Sequence, residues 1–196
     1  ATILQHKGKL YYIWAQEDRN VNYESHSNIY IAEMENPWTL RTKPVMLTQP
    51  LLDWEIKIFW VNEGPSILKK NGKIFLTYSA SATDENYCMG MLVVNENDDL
   101  LDPKSWKKLE KPVFKTSYKN KQYGPGHNSF TVSEDGMKDL LVYHARNYTD
   151  IEGDPLYDPN RHTRVQVIEW DKDGFPIFGE PVMDTRNVDF DSLRKK

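Results

Sequence analysis

The sequence has little of several features that mark common structural classes. Only one cysteine, Cys88, occurs among its 196 residues, so no intrachain disulfide can form. This fits a reducing compartment, but exported bacterial domains can also lack disulfides, so cytoplasmic and secreted locations both stay open. No stretch approaches the roughly 20 apolar residues that a transmembrane helix requires. We therefore expect no membrane partner.

An excess of basic charge is also absent. The chain has 25 Lys and Arg residues against 29 Asp and Glu residues, giving a formal net charge of −4. Nucleic-acid-binding proteins present a basic face, so we expect no nucleic-acid partner. Long amphipathic helical patterns are missing as well. Aromatic residues are instead plentiful, with 6 Trp, 11 Tyr and 7 Phe. In an all-β protein these mostly fill cores, although sugar sites also use them for stacking.

A two-strand unit with a glycine turn occurs three times along the chain. The turns contain Gly8, Gly72 and Gly136, which lie 64 residues apart and follow Lys, Asn and Asp. Asn-Gly and Asp-Gly between strand-like runs are strong hairpin signals, because the tight turn needs positive φ. The flanking runs cover residues 3–14, 67–78 and 130–143. The sequence therefore predicts three equivalent β-hairpins.

A further strand-like run follows each hairpin, at residues 28–32, 89–94 and 164–168. Multi-stranded units at a fixed long period are typical of β-propeller blades. We predict an all-β, incomplete propeller of about three blades. The blades are expected at roughly 1–50, 51–120 and 121–183, with a polar tail or linker at 184–196. Because a closed propeller usually has at least four blades, and the chain opens directly in a strand-like run, we expect N-terminal blades from a longer polypeptide.

Two ionisable residues occupy matching positions in the second and third units. Glu63 and His127 are also 64 residues apart, and each lies just before the first strand-like run of its unit. The innermost strands of a propeller begin at the central channel, so we expect both side chains to reach one shared pocket. A glutamate beside Gly-Pro is commonly a loop residue, and a lone histidine is commonly structural. Their equivalent positions favour a functional interpretation.

The residues around Glu63 resemble glycoside hydrolase family 43. The resemblance starts with Trp54-Glu55 and with 61–65, which reads Val-Asn-Glu-Gly-Pro. It continues through 123–130, 143–146, 161–170 and 174–181, and so covers nearly the whole chain. The family implies a five-bladed propeller that cleaves α-L-arabinofuranosides, arabinans or β-xylosides with inversion. An arabinose- or xylose-containing oligosaccharide is then the expected partner, with the arabinoside preferred.

The resemblance also implies roles for individual residues. Glu63 matches the general acid that protonates the leaving glycosidic oxygen, a task that needs a carboxyl whose pKa is raised towards neutral. His127 matches a histidine below the sugar that contacts a water-ligated ion, often calcium, so one calcium ion is expected in the central channel. Arg164 matches an arginine that holds sugar hydroxyls and tunes the carboxylates. Its alternative is a strand arginine paired at the surface.

Other side chains are further candidates for the same pocket. Trp54 and Trp60 are expected to form its wall, with core packing as the alternative. His144 and Arg146 lie in the part of the third unit that resembles the family and could also reach the sugar.

The chain departs from the family in its missing carboxylates. An inverting glycosidase needs a base as well as an acid, on opposite sides of the scissile bond. In the family the base and a second, pKa-modulating residue are both Asp. No Asp of this chain can be assigned to either role. Loops or segments between blades contain Asp18, Asp53, Asp84, Asp150 and Asp154. We therefore expect the base upstream of this chain and expect these residues alone to be inactive.

Three alternatives remain. The chain could be a non-catalytic sugar-binding propeller or pseudoenzyme that keeps the pocket without the chemistry. It could belong to related fructoside-cleaving propellers, although Glu63 is followed by Gly64-Pro65 here rather than by the Cys-Pro of their signature. A structural propeller for protein partners is compatible with the fold but leaves Glu63 and His127 unexplained.

Overall fold

The computed structural model describes residues 1–18 and 26–184. These residues form three antiparallel sheets in chain order and a short terminal hairpin. The first sheet contains β1 (Thr2–His6), β2 (Lys9–Glu17), β3 (Ser27–Asn36), β4 (Thr39–Leu40) and β5 (Val45–Thr48). The second contains β6 (Asn62–Lys70), β7 (Lys73–Ala80), β8 (Cys88–Asn95) and β9 (Lys107–Lys108). The third contains β10 (Tyr123–Val132), β11 (Asp139–Arg146) and β12 (His162–Val167), and the hairpin contains β13 (Glu169–Trp170) and β14 (Pro176–Ile177).

Each sheet lies within one of the three predicted blades, and we call them blades 1, 2 and 3. The predicted tail at 184–196 lies outside the described residues except for Asp184. The described residues also include a 3-10 helix at Pro103–Ser105, whose first turn is capped by the side chain of Asp102. The described residues contain no helix whose length and hydropathy suit a membrane span.

The three repeated glycines make the predicted turns. Gly8, Gly72 and Gly136 have φ values of +75°, +71° and +71°. Lys7 and Asn71 also have positive φ, as a two-residue turn between twisted strands requires. These turns join β1 to β2, β6 to β7 and β10 to β11 in antiparallel register, so the predicted hairpins are confirmed.

Blade 2 is buried on both faces, which explains why β7 does not alternate between apolar and polar residues. Ile74 and Leu76 on one face of β7 pack in a core with the inner strands of blade 1. Phe75 on the other face packs in a second core with Leu141 and Tyr143 of blade 3. Because successive side chains of a strand point to opposite faces, a strand covered on both sides reads as a continuous apolar run.

The inner strands of blades 2 and 3 are irregular at their first residues. The pairing of β6 with β7 shifts register between Glu63 and Ser66, and β10 has shifts on both sides of Gly126. Bulges of this kind redirect side chains near the ends of strands. In β10 the bulged segment contains His127, whose φ is +47°. The irregular segments are therefore those that carry the two predicted site residues.

Candidate active site

Glu63 lies half-buried at the start of β6, where it pairs across the sheet with Ser79. The hydroxyl of Tyr87 donates a hydrogen bond to Oε1 of Glu63 at 2.5 Å. Glu63 also lines a cavity of about 400 Å³. The other residues lining the cavity are Glu17, Ser27, Phe59, Val61, Ser81, Thr83, Asp154 and Leu156. The carboxyl is therefore held by a protein donor and exposed to a space large enough for a sugar.

The backbone before Glu63 is fixed by a buried carboxylate, Glu55. Glu55 is fully buried and accepts hydrogen bonds from the Tyr78 hydroxyl at 2.8 Å and from Nδ2 of Asn62 at 3.1 Å. It also pairs with Nζ of Lys108 at 2.7 Å, and two backbone N–H groups of the preceding turn donate to it. Burial lowers the pKa of Lys108, while its hydrogen bond to Glu55 acts in the opposite direction. Because Asn62 directly precedes Glu63, this network fixes the start of β6.

The structure brings His127 next to the turn that carries Glu63. A Cβ atom built on Gly64 would lie 3.2 Å from Nδ1 of His127, so the imidazole packs directly on this glycine. The backbone N–H of His127 donates to Oγ of Ser79 at 2.7 Å, and the side chain of His127 is exposed. The two residues that the repeat placed in register are therefore neighbours.

A calcium site is not formed by the protein groups around His127. Within 1–18 and 26–184, no group of three or more His, Cys, Asp and Glu side chains is arranged to hold a metal. Calcium takes six to eight oxygen ligands, so an ion at His127 would depend largely on water. The calcium ion at His127 therefore stays a prediction.

The other predicted sugar contacts do not join Glu63. Arg164 is buried, and its guanidinium donates to the carbonyls of Ala145 and His162 and pairs with Asp184 at 3.1 Å. None of these partners lines the cavity. Among the described residues the guanidinium of Arg164 is held by protein groups, and its contact with sugar hydroxyls stays a prediction.

The two tryptophans also take positions outside the cavity lining. The ring of Trp54 stacks on Tyr78 and packs against the core between blades 1 and 2. Its indole N–H donates to the carbonyl of Glu110 at 2.8 Å. Trp60 contacts His26, with ring centroids 6.2 Å apart, and lies between two cavity residues, Phe59 and Val61. Core packing describes Trp54, whereas Trp60 borders the cavity wall.

His144 lies behind the site rather than in it. Its ring stacks on Tyr87 with centroids 5.5 Å apart and an interplanar angle of 10°. Both ring nitrogens are buried and have no hydrogen-bond partner among the described residues. Burial lowers the pKa of His144 to about 3, and the positive charges of Arg161, His127, Arg146 and Arg164 act in the same direction. His144 is therefore a neutral packing partner of Tyr87.

Arg146 ties together two loops that form the cavity wall. It is 1% exposed and donates to the carbonyls of Thr83 and Pro155 and to Oδ1 of Asp158. Thr83 lines the cavity from one loop, and the residues on both sides of Pro155 line it from the other. Hydrogen bonds from Tyr148, from the Asn160 N–H and from Arg146 lower the pKa of Asp158. Arg146 is thus engaged by protein groups and has a positioning role.

Tyr87 is the site residue that the sequence analysis missed. It lies in the loop between β7 and β8, outside the repeated strands. One signal was present in the Gly-Pro-Gly of 124–126. A Cβ atom at Gly126 would come within 2.4 Å of Cε1 of Tyr87, so β10 passes too close to the ring for a side chain. Asp154 also reaches the cavity, although the sequence placed it in a loop without a role.

Comparisons with known proteins find a matching family model and similar enzymes. The family model described as "Glycosyl hydrolases family 43" matches residues 1–176. An extracellular exo-α-(1→5)-L-arabinofuranosidase of Streptomyces avermitilis is 55% identical over 184 residues, which are 94% of this chain and 38% of that protein. The α-L-arabinofuranosidase 43 of Humicola insolens is 53% identical, with the same 94% and 38% coverage. The chain thus spans about 38% of the length of these curated relatives.

Solved structures show the same fold. The crystal structure of an α-L-arabinofuranosidase from Lactobacillus brevis superposes with a TM-score of 0.91 at 66% identity, covering 95% of this chain and 57% of that chain. A thermostable family-43 glycoside hydrolase superposes with a TM-score of 0.79 at 28% identity, covering 95% of this chain and 59% of that chain. The predicted all-β, five-bladed propeller class is confirmed, with three blades in the described part of this chain.

Proposed function

Because the chain belongs to the glycosyl hydrolases of family 43, we propose that it carries the general-acid part of an inverting α-L-arabinofuranosidase. The observation that carries this proposal is the carboxyl of Glu63, which lines the cavity and is held by the Tyr87 hydroxyl at 2.5 Å. The relatives named as arabinofuranosidases support an arabinofuranosyl substrate over a β-xylosyl one.

In the proposed reaction Glu63 donates its proton to the glycosidic oxygen as the bond from that oxygen to the anomeric carbon breaks. A water molecule attacks the anomeric carbon from the opposite side and transfers its proton to a carboxylate base. The products are free arabinose with inverted configuration and the shortened oligosaccharide. In inverting enzymes the two carboxyls lie about 6.5–9.5 Å apart, which leaves room for this water.

The base is proposed to come from N-terminal blades of a longer polypeptide. Glu17 and Asp154 also line the cavity. Asp154 accepts the backbone N–H of Leu156 at 2.9 Å and so stabilises its own turn. The Streptomyces avermitilis relative is named extracellular, which supports secretion for the longer polypeptide.

The test is hydrolysis of α-(1→5)-linked arabino-oligosaccharides by the chain with its natural upstream sequence restored. We expect release of arabinose, and we expect Glu63→Gln to reduce kcat by about 10²–10⁴-fold, the range that general acid catalysis contributes. The matched control is Glu169→Gln, which makes the same chemical change on an exposed residue of the terminal hairpin.

The outcomes separate the alternatives. Arabinose release that Glu63→Gln abolishes and Glu169→Gln leaves intact supports the glycosidase with Glu63 as its acid. Release that survives Glu63→Gln contradicts the role of Glu63. If no release occurs but arabinose or xylose binds in a titration calorimeter, the sugar-binding alternative replaces the proposed function.

A further inference from the structure

Tyr87 is the protein side chain that contacts the carboxyl of Glu63 through a short hydrogen bond. Its hydroxyl lies 2.5 Å from Oε1, and its ring is 1% exposed. Burial and the negative charge of Glu63 raise the pKa of Tyr87 well above the ordinary value. The phenol therefore stays protonated at neutral pH and acts as the donor in this bond.

A hydrogen bond between two blades lies close to Glu63 and Tyr87. The backbone N–H of His127 in blade 3 donates to Oγ of Ser79 in blade 2, and Ser79 pairs across the sheet with Glu63. This bond therefore holds β10 against β7 beside the carboxyl that Tyr87 contacts.

Packing gives the Tyr87 ring little freedom to move. One face stacks on His144 with an interplanar angle of 10°, and the backbone of β10 passes so close that a Cβ atom at Gly126 would lie 2.4 Å from Cε1. The ring cannot turn without displacing β10. The position of the hydroxyl, and with it the position of Oε1 of Glu63, is therefore set by the interface between blades 2 and 3.

We propose that Tyr87 is a positioning residue for the general acid, which fixes Oε1 of Glu63 and so directs Oε2 towards the leaving oxygen. This inference rests on the proposed function and adds a residue that acts through Glu63. A positioned proton donor matters most when the leaving group is poor. An error of about 1 Å in the placement of a catalytic group can cost about 100-fold in rate.

The test compares Tyr87→Phe with the unchanged protein in the longer polypeptide, on two substrates. Arabinobiose has a poor alkoxide leaving group, whereas 4-nitrophenyl α-L-arabinofuranoside has a good one that needs little protonation. We expect Tyr87→Phe to lower kcat on arabinobiose by about 10–100-fold and kcat on the nitrophenyl substrate by less than about threefold. Ser79→Ala removes the hydroxyl that holds β10, and β10 packs on the Tyr87 ring. This variant should therefore show the same pattern with a smaller loss.

Tyr143→Phe is the matched control. Tyr143 is also buried between blades 2 and 3, and its hydroxyl donates to Gln166 at 2.9 Å, away from Glu63. Tyr143→Phe removes a comparable buried hydroxyl. A purely structural effect of Tyr87→Phe would therefore reappear in Tyr143→Phe and would lower kcat on both substrates to the same extent. Melting curves of all variants show whether each is folded at the assay temperature.

The result separates this inference from the proposed function. The positioning role is overturned if Tyr87→Phe lowers kcat equally on the two substrates or does not lower it at all. This holds even if Glu63→Gln abolishes arabinobiose cleavage. Absence of arabinose release from the unchanged protein overturns the proposed function instead. If Tyr87→Phe does not fold, the substrate pattern of Ser79→Ala decides the question.

Discussion

Replacement of His144 by Phe should remove a pH-dependent loss of stability. Burial and the surrounding positive charges lower the pKa of His144 to about 3 from the ordinary 6.5. Below pH 6.5, a histidine whose pKa is lowered by folding binds fewer protons in the folded state than in the unfolded chain. The free energy of unfolding therefore falls as pH decreases from about 6.5 towards about 3, and above pH 6.5 this histidine has no effect.

The magnitude follows from the size of the shift. Each unit of pKa difference corresponds to about 1.4 kcal/mol. At pH 5 protonation of this histidine therefore stabilises the unfolded chain by about 2 kcal/mol, whereas the folded chain gains no such stabilisation. His144→Phe keeps an aromatic ring against Tyr87 and removes two buried nitrogens that have no partner. As the pH falls from 7.5 to 5, we expect the free energy of unfolding of this variant to rise by about 2 kcal/mol relative to that of the unchanged chain.

The assay is urea denaturation followed by tryptophan fluorescence at several pH values, with the difference between variant and unchanged chain taken at each pH. Other titrating groups cancel in this difference. His162→Phe removes an exposed histidine of β12 and serves as the control, for which no trend with pH is expected. A difference for His144→Phe that stays constant between pH 7.5 and pH 5 would refute the reasoning.

Two further predictions concern the packing and charge that hold the site. Gly126→Ala places a Cβ atom 2.4 Å from the Tyr87 ring, so we expect overpacking to lower the free energy of unfolding, by about 1–3 kcal/mol; a urea midpoint that does not move contradicts this. Glu55→Gln leaves Lys108 without its carboxylate, which should cost about 3–5 kcal/mol in urea denaturation. A Glu55→Gln/Lys108→Met double variant should be more stable than Glu55→Gln, and additive losses would argue against the pair.

Much of the fold could be predicted because its signals are local. Gly8, Gly72 and Gly136 adopt the positive φ that their turns need, and the preceding residues Lys7 and Asn71 adopt it as well. Strand pairing then follows directly from each turn. Glu63 and His127 have the same spacing as the turns. Their proximity could therefore be predicted, because equivalent residues of adjacent blades converge.

Several candidate site residues could not be predicted because their environment depends on loops without periodicity. Tyr87 reaches Glu63 from the loop between β7 and β8, and that loop is held in part by Arg146 of blade 3. Arg164 and Trp54 lie in segments that resemble the family, yet in the described structure both side chains donate to backbone carbonyls. Residue type and position alone do not show which partner a long side chain selects.

The sequence by itself determined the repeat, the hairpins and the equivalent positions of Glu63 and His127, since turn chemistry and strand alternation act over a few neighbouring residues. The tertiary structure decided the hydrogen bond from Tyr87 to Glu63, the neutral state of His144 and the binding of two cavity loops by Arg146. Each of these joins residues from different strands or loops. Such contacts depend on how blades 2 and 3 pack, which no short stretch of sequence encodes.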